Sequence, residues 1–160
     1  MKFIPKGYAL LDTAMGDLNL GKYQDMILVL KTIGEDAAFD GSEYKRPLLI
    51  LIGHADKIFL LAGRNDNIVY CFQYGGVLGH PYDGLEIKKG LFTVHHFGGS
   101  NDRWSNDNTF KYSKTDSTWY LLKVADKGWN VSNVNKVNST EKTKRDFGIV
   151  PFAKYTVEDN

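Results

Sequence analysis

The chain has 160 residues, of which 42% are hydrophobic and 24% are charged, so it can bury one core and is not a disordered chain. Its 20 basic and 19 acidic side chains give a formal net charge of +1. A nucleic-acid-binding protein is therefore not expected, because such proteins carry a clustered basic excess that neutralises phosphates. No apolar run approaches the roughly 20 residues of a transmembrane segment. We expect one soluble, monomeric β domain over residues 1–160.

Hydrophobic runs predict strands along most of the chain. Residues 5–15 are the one segment with helical spacing, which rests on Leu10, Leu11 and Ala14. The run 25–31 is apolar nearly throughout, as in a strand covered on both faces. Further strands are predicted at residues 48–52, 58–62, 68–74, 85–88, 91–97, 109–113, 118–124 and 147–157. Polar stretches predict loops at residues 34–45, 98–107 and 126–146, the last of them exposed. The fold class is all-β, an antiparallel sandwich or a strongly twisted sheet with little helix.

A short polar loop before the first predicted strand has the composition of a calcium site. Asp17 and Asn19 lie two residues apart and Asp25 ends the loop, so their oxygens can point into one turn. The loop resembles the calcium loop of FG-GAP and VCBS-type repeats, Asp-x-Asn-x-Asp-Gly-x-x-Asp. Gly21 stands where that pattern has an acid, and Lys22 where it has glycine. The alternative is a metal-free turn in which Asp17 or Asn19 binds backbone N–H groups, and no other cofactor is expected.

The chain as a whole resembles uncharacterised bacterial cell-envelope proteins that carry one such degenerate loop. The shared features after the loop are an apolar strand, Gly75-Gly76, the stretch 92–100 and Arg103-Trp104. The resemblance covers about residues 3–125 and implies a periplasmic or cell-surface location, with a signal peptide removed, but no known activity. The first residues lack the apolar region of a signal peptide, so a cytoplasmic location stays open as the alternative.

The sequence carries no recognisable catalytic motif. Its single cysteine, Cys71, lies in an apolar run typical of a buried thiol. The best acid–base grouping is His80 with Asp83, and together with His96 these residues form the hypothesis of a hydrolase site. His95 and His96 are adjacent on a predicted strand, so their side chains point to opposite faces and cannot bind one ion together.

The loop that follows the 91–97 strand has the composition of a contact surface. Gly98 and Gly99 allow close approach of the backbone, and Arg103 and Trp104 are residue types enriched at binding hot spots. We therefore expect a non-catalytic binding or structural module of the bacterial cell envelope that contacts a protein or glycan partner through these four residues. One alternative is an inhibitor- or immunity-type protein that blocks an enzyme. Another is that Trp104 only caps the core.

We expect different environments for the other two tryptophans. Trp119 lies within a predicted strand and is expected in the core. Trp129, beside Gly128 in the polar 126–146 stretch, is either an anchor for that segment or an exposed contact residue.

Overall fold

Nine strands form two antiparallel sheets in the computed structural model, which describes residues 2–37 and 44–157. The first sheet holds, in chain order, β1 (Tyr8–Gly16), β2 (Asp25–Thr32), β3 (Leu48–Gly53) and β4 (Phe59–Asn65). The second holds, also in chain order, β5 (Tyr82–Lys88), β6 (Leu91–Gly99), β7 (Asp102–Ser113), β8 (Thr118–Asn130) and β9 (Asn133–Thr143). The other described elements are the helical turn α1 (Lys144–Phe147) and 3₁₀ turns at Glu35–Ala37, Ala55–Lys57, Phe72–Leu78 and Phe152–Lys154. The predicted all-β antiparallel sandwich is confirmed.

The main core lies between the two sheets. Ile27 and Ile50 point inward from the first sheet, and Phe92 and Phe110 point inward from the second, all of them fully buried. The rings of Phe92 and Phe110 stack with centroids 5.1 Å apart, and Phe152 meets both rings edge-on. Burial of each such side chain contributes roughly 1.5–3 kcal/mol, so this cluster is a main source of folding free energy.

A second apolar cluster covers the other face of the first sheet. Leu28 and Leu30 of β2, with Leu49 and Leu51 of β3, are buried there, and Phe3 packs against them. The strand β2 therefore has apolar side chains on both faces, which explains why its sequence shows no alternation.

The predicted helix at residues 5–15 is wrong, because Tyr8–Gly16 forms β1 and pairs with β2. A register shift between Leu10 and Asp12 interrupts this strand. It leaves Leu10 exposed while Leu11 packs against the main core. The bulge thus gives the strand an apolar spacing that imitates a helical turn.

The predicted strand at residues 68–74 is also wrong, since the chain there is irregular and continues into the 3₁₀ turn Phe72–Leu78. Side chains satisfy the backbone groups that a strand partner would otherwise bind. The buried Arg46 donates from Nη1 to the carbonyl of Tyr70 at 2.8 Å. The N–H of Tyr70 in turn donates to Nε2 of His96 at 3.4 Å.

The predicted strand at residues 147–157 reduces to one isolated bridge at Pro151 and the 3₁₀ turn Phe152–Lys154. This segment still closes one side of the sandwich. The side-chain amide of Asn65 donates to the carbonyl of Tyr155 at 2.8 Å, which ties the segment to the end of β4. Pro151 lacks the N–H that a continuous ladder requires, which explains why the strand does not extend.

Two predicted loops are largely strand. In the 98–107 stretch, only Ser100 and Asn101 separate β6 from β7. The 126–146 stretch is exposed, but it contains the end of β8, all of β9 and most of α1. Most of β9 is exposed on both faces, so its sequence has no apolar period to reveal a strand. The predicted loop at residues 34–45 lies partly outside the described residues.

Candidate functional site

One end of the second sheet presents a solvent-facing surface that strand register assembles. Paired residues share a face of a sheet, because side chains alternate along each strand. Arg103 of β7 pairs with Gly99 of β6 and with Trp129 of β8. We call such a row of paired residues across the three strands a level. In the next level Ser105 of β7 pairs with Phe97 of β6 and Lys127 of β8. We call the surface of these two levels the aromatic face; its members are Phe97, Gly99, Arg103, Ser105, Lys127 and Trp129.

The two rings of the aromatic face lie against each other. Phe97 and Trp129 stack across β7 with centroids 5.9 Å apart and planes inclined by 24°. The small side chain of Ser105 lies opposite Phe97 and leaves the rings room to meet over β7. Both rings are partly exposed, so the stacked pair forms an apolar surface that solvent still reaches.

Gly99 is required by the turn that begins the site. Its φ is +109°, and an added Cβ would come within 2.0 Å of the carbonyl oxygen of Asp102.

Two cations stand on the aromatic face without an anionic partner. In the part of the chain that the structure describes, neither Arg103 nor Lys127 makes a side-chain hydrogen bond or ion pair. The acids on this side of the sheet bind other groups. Asp107 is bound to Nδ1 of His95 at 2.7 Å, and Glu141 is paired with a lysine of β8 at 3.1 Å. The aromatic face therefore carries a local positive charge.

The opposite side of the same strands faces inward. Trp104 lies between Gly98 and Gly128 in its register level. A Cβ on Gly98 would come within 2.6 Å of the indole, which also meets the ring of Tyr70 edge-on at 5.8 Å. The predicted contact set is thus divided: Arg103 and Gly99 belong to the aromatic face, whereas Gly98 and Trp104 pack on the inner side.

His96 is part of this inner packing. It is 1% exposed, and the rings of Tyr70 and Tyr82 lie 4.9 and 6.3 Å from it. Burial lowers the pKa of His96 from 6.5 to about 4, and the positive charge of Arg46 acts in the same direction. The imidazole is therefore neutral near pH 7.

The three residues of the hydrolase hypothesis do not form a connected group. Asp83 is exposed, His96 is buried, and among the described residues no hydrogen bond joins either of them to His80. Burial lowers the pKa of His80, whose ring lies 6.2 Å from that of Tyr82. The Tyr82 hydroxyl donates to a carboxylate oxygen of Asp12 at 2.8 Å. This arrangement lacks the hydrogen-bonded nucleophile and base of nucleophilic catalysis.

The polar loop before β2 has the geometry of a carboxylate-bound turn. The buried carboxylate of Asp25 accepts two backbone N–H groups of the loop at 2.8 and 3.2 Å, and that of Gly53 at 3.0 Å. Asp17 accepts the N–H of Gly21 at 3.1 Å. Among the described residues, no three His, Cys, Asp or Glu side chains group closely enough to hold a metal ion. The contacts are those of the metal-free turn, and calcium binding by Asp17, Asn19 and Asp25 stays a prediction.

An apolar groove lies beside this loop, at the turn between β3 and β4. Met15, Tyr23 and Ile58 line it and are 51%, 42% and 51% exposed. Asp56 and Lys57 of the turn adopt φ of 60° and 58°, a conformation uncommon outside glycine. The exposed area of the groove is mainly apolar, and the polar residues Lys22, Gln24, His54, Asp56 and Lys57 also line it.

Phe97, Lys127 and Trp129 join the site only through strand pairing. The sequence left Trp129 open between an anchor and a contact residue. In the structure it packs on Phe97 and stays partly exposed, and its role as a contact residue stays a prediction. Side chains alternate between the two faces of a strand, so extending the predicted strand 118–124 through Lys127 would have placed Trp129 beside Arg103.

Comparison of the chain with protein-family models, with curated proteins and with solved structures found no match. Among the described residues, no helix has the length and apolar character needed to span a membrane. The fold and the geometry of the aromatic face are therefore the basis for a functional proposal.

Proposed function

We propose that the protein is a non-catalytic glycan-binding module whose binding surface is the aromatic face. The observation that carries the proposal is the partly exposed stack of Phe97 on Trp129 beside Arg103, which has no ion-pair partner among the described residues. The proposed location is the bacterial cell envelope, and its support is the sequence resemblance alone.

The chemistry of the aromatic face suits a sugar. A pyranose ring has one apolar face of C–H groups and an edge of hydroxyls. The C–H groups can pack on the electron-rich faces of Phe97 and Trp129. The hydroxyls can bind the guanidinium of Arg103, the hydroxyl of Ser105 and the ammonium of Lys127.

The composition favours a glycan over a protein partner. Lysine and serine are depleted at protein interfaces, whereas arginine and aromatic residues are enriched there. On the aromatic face Ser105 pairs with both Phe97 and Lys127, so both depleted residue types lie beside the stacked rings. Polar groups so close to the rings fit a ligand that is itself polar along its edges.

The surface is also rigid in the way a binding site requires. Its side chains stand on paired strands rather than on a long loop, since only Ser100 and Asn101 separate β6 from β7. A ligand therefore does not have to order a mobile backbone, which lowers the entropic cost of binding.

The test is a screen of wild-type protein on an array of bacterial and plant polysaccharide fragments, followed by calorimetric titration of the retained glycans. Trp129→Ala should weaken binding by at least about tenfold, because hot-spot aromatic contacts commonly contribute more than 1.4 kcal/mol. Tyr23→Ala is the matched control, since it removes an exposed aromatic from the first sheet's end.

Two results would contradict the proposal. One is that the wild type retains no glycan on the array. The other is that Trp129→Ala and Tyr23→Ala, both shown to be folded by their melting curves, bind the retained glycan equally well.

A further inference from the structure

The charges of the aromatic face narrow the class of ligand. On the basis of the proposed function, we infer that the preferred glycan is acidic, carrying carboxylate or sulfate groups that Arg103 and Lys127 bind. The shared chemistry is an anionic group on a sugar ring, and both kinds of group present several oxygen acceptors to a cation.

The first step is an inventory of charge. Arg103 and Lys127 have no anionic partner among the described residues. The described acids on their side of the sheet are bound to other cations: Asp107 to His95, Glu141 to Lys123 and Glu86 to Lys88. A neutral glycan would leave both cations without a counter-charge in the complex.

The second step is the position of Arg103. It stands in one register level with Gly99 on one side and Trp129 on the other. A sugar stacked on Trp129 would direct a substituent on its edge toward Arg103, whose planar fork binds carboxylates through two parallel hydrogen bonds.

The third step is the distance between the two cations. Lys127 belongs to the neighbouring level, in which Ser105 separates it from Phe97, and it lies two residues before Trp129 on β8. Successive levels on one face lie about 7 Å apart along a strand. The face therefore offers two cationic positions one level apart beside one pair of stacked rings, which fits an oligosaccharide with an acidic group on more than one sugar.

An acidic peptide is the competing ligand of the same charge. It would satisfy Arg103 and Lys127, but a run of Asp or Glu side chains offers nothing to pack on the stacked rings of Phe97 and Trp129. The observations therefore favour the acidic glycan, and the peptide becomes an arm of the test.

The experiment measures calorimetric affinity for two matched pairs of probes. One pair is an oligogalacturonate and the neutral oligosaccharide obtained by reducing its carboxylates. The other is a sulfated galactan fragment and its desulfated form. A polyglutamate peptide of equal charge is the fifth probe. We expect at least one acidic probe to bind about tenfold or more tightly than its neutral counterpart, as for a lost charge-assisted hydrogen bond.

The variants Arg103→Gln and Lys127→Gln should each lower affinity for the acidic probe by a larger factor than affinity for the neutral one, because the glutamine amide can still bind hydroxyls but carries no charge. Lys114→Gln, in the exposed turn between β7 and β8, is the matched control and should change neither. Trp129→Ala should lower the affinity for both the acidic and the neutral probe of a pair. This result would distinguish ring stacking from charge attraction alone.

The outcomes separate the two proposals. Equal binding of acidic and neutral probes that Trp129→Ala abolishes would overturn the acidic class while the glycan-binding function stands. Polyglutamate binding as tight as that of the acidic glycan would overturn the choice of ligand. Failure of the wild type to bind any of the four saccharide probes would overturn the inference, and an empty glycan array alongside it would overturn the proposed function too.

Discussion

The aromatic face and the packing directly behind it are two sides of the same three strands, yet they have opposite characters. His95 is partly exposed and paired with Asp107, whereas the next residue, His96, is 1% exposed. Arg103 lies on the aromatic face and has no ion-pair partner among the described residues, whereas the next residue, Trp104, packs over Gly98. Neighbours in sequence thus serve different ends, because a strand sends successive side chains to opposite faces. The comparison teaches that outward residues here should affect binding and inward residues should affect stability.

The largest contrast is expected between two tryptophans. Trp104→Ala should lower the free energy of unfolding by about 3 kcal/mol, the low end for loss of a large packed aromatic, because the indole is only partly buried. Trp129→Ala should cost less, since its partly exposed ring lies on the outer side of the sheet, where it stacks on Phe97. Urea denaturation of both variants measures the difference. Equal losses would break the division between the two sides.

The adjacent residues His95 and His96 allow the two sides of the sheet to be compared through the pH dependence of stability. The folded-state pKa of His96 is lowered to about 4, below its ordinary 6.5, so the unfolded chain takes up a proton first as pH falls. Stability from this group is complete above pH 6.5 and is lost as pH falls toward 4, by about 2–3 kcal/mol in total. Urea denaturation between pH 7 and pH 4 should show that loss in wild type and in the control His95→Gln. The curve of stability against pH for His96→Gln should lack this loss. Parallel curves for all three proteins would refute the role of His96.

The smallest effect is expected on the outer side. Asp107→Asn removes the ion pair with His95. The side chain of His95 is 32% exposed and that of Asp107 is 35% exposed. Exposed pairs contribute about 0–1 kcal/mol, so the free energy of unfolding should change by less than 1 kcal/mol. Thermal and urea unfolding at low salt, where the pair is strongest, check this. A loss of more than about 2 kcal/mol would mean that the outer side is also part of the structural framework.

The strand β6, which buries an apolar face, was predictable, whereas the polar strand β9 was missed. The predicted strand at residues 91–97 lies within β6, because Phe92 and Val94 alternate with partly exposed neighbours. The strand β9 is polar on both sides, so hydrophobic periodicity had nothing to detect. The sequence therefore predicted the sandwich but not the extension of the second sheet that carries the aromatic face.

The misassigned 68–74 segment shows a different limit. Its apolar residues are buried as expected of a strand, but its hydrogen-bonding partners lie far away in sequence. Arg46 reaches the Tyr70 carbonyl because it is fixed by a buried ion pair with Glu35. A single sequence does not show which distant side chain will satisfy a backbone group, so the segment looked like a strand.

The site was predictable in one of its parts. Arg103 was identified by residue type, whereas Trp104 was assigned to the same surface because the turn was taken to be a long loop. Once only Ser100 and Asn101 form that turn, alternation divides the pair and brings Trp129 to Arg103 instead. The error thus came from loop length, which sets the register and hence the face of every following residue.

The segment that closes the sandwich has a consequence for biosynthesis. Phe152 meets Phe92 and Phe110 in the core, and Asn65 bonds to the carbonyl of Tyr155, 90 residues away. Contacts so distant along the chain form slowly, because a large loop must close before they contribute. A nascent chain that has not yet released residues 150–157 from the ribosome would leave the faces of Phe92 and Phe110 uncovered. The domain should therefore complete its folding only after this segment has left the ribosome.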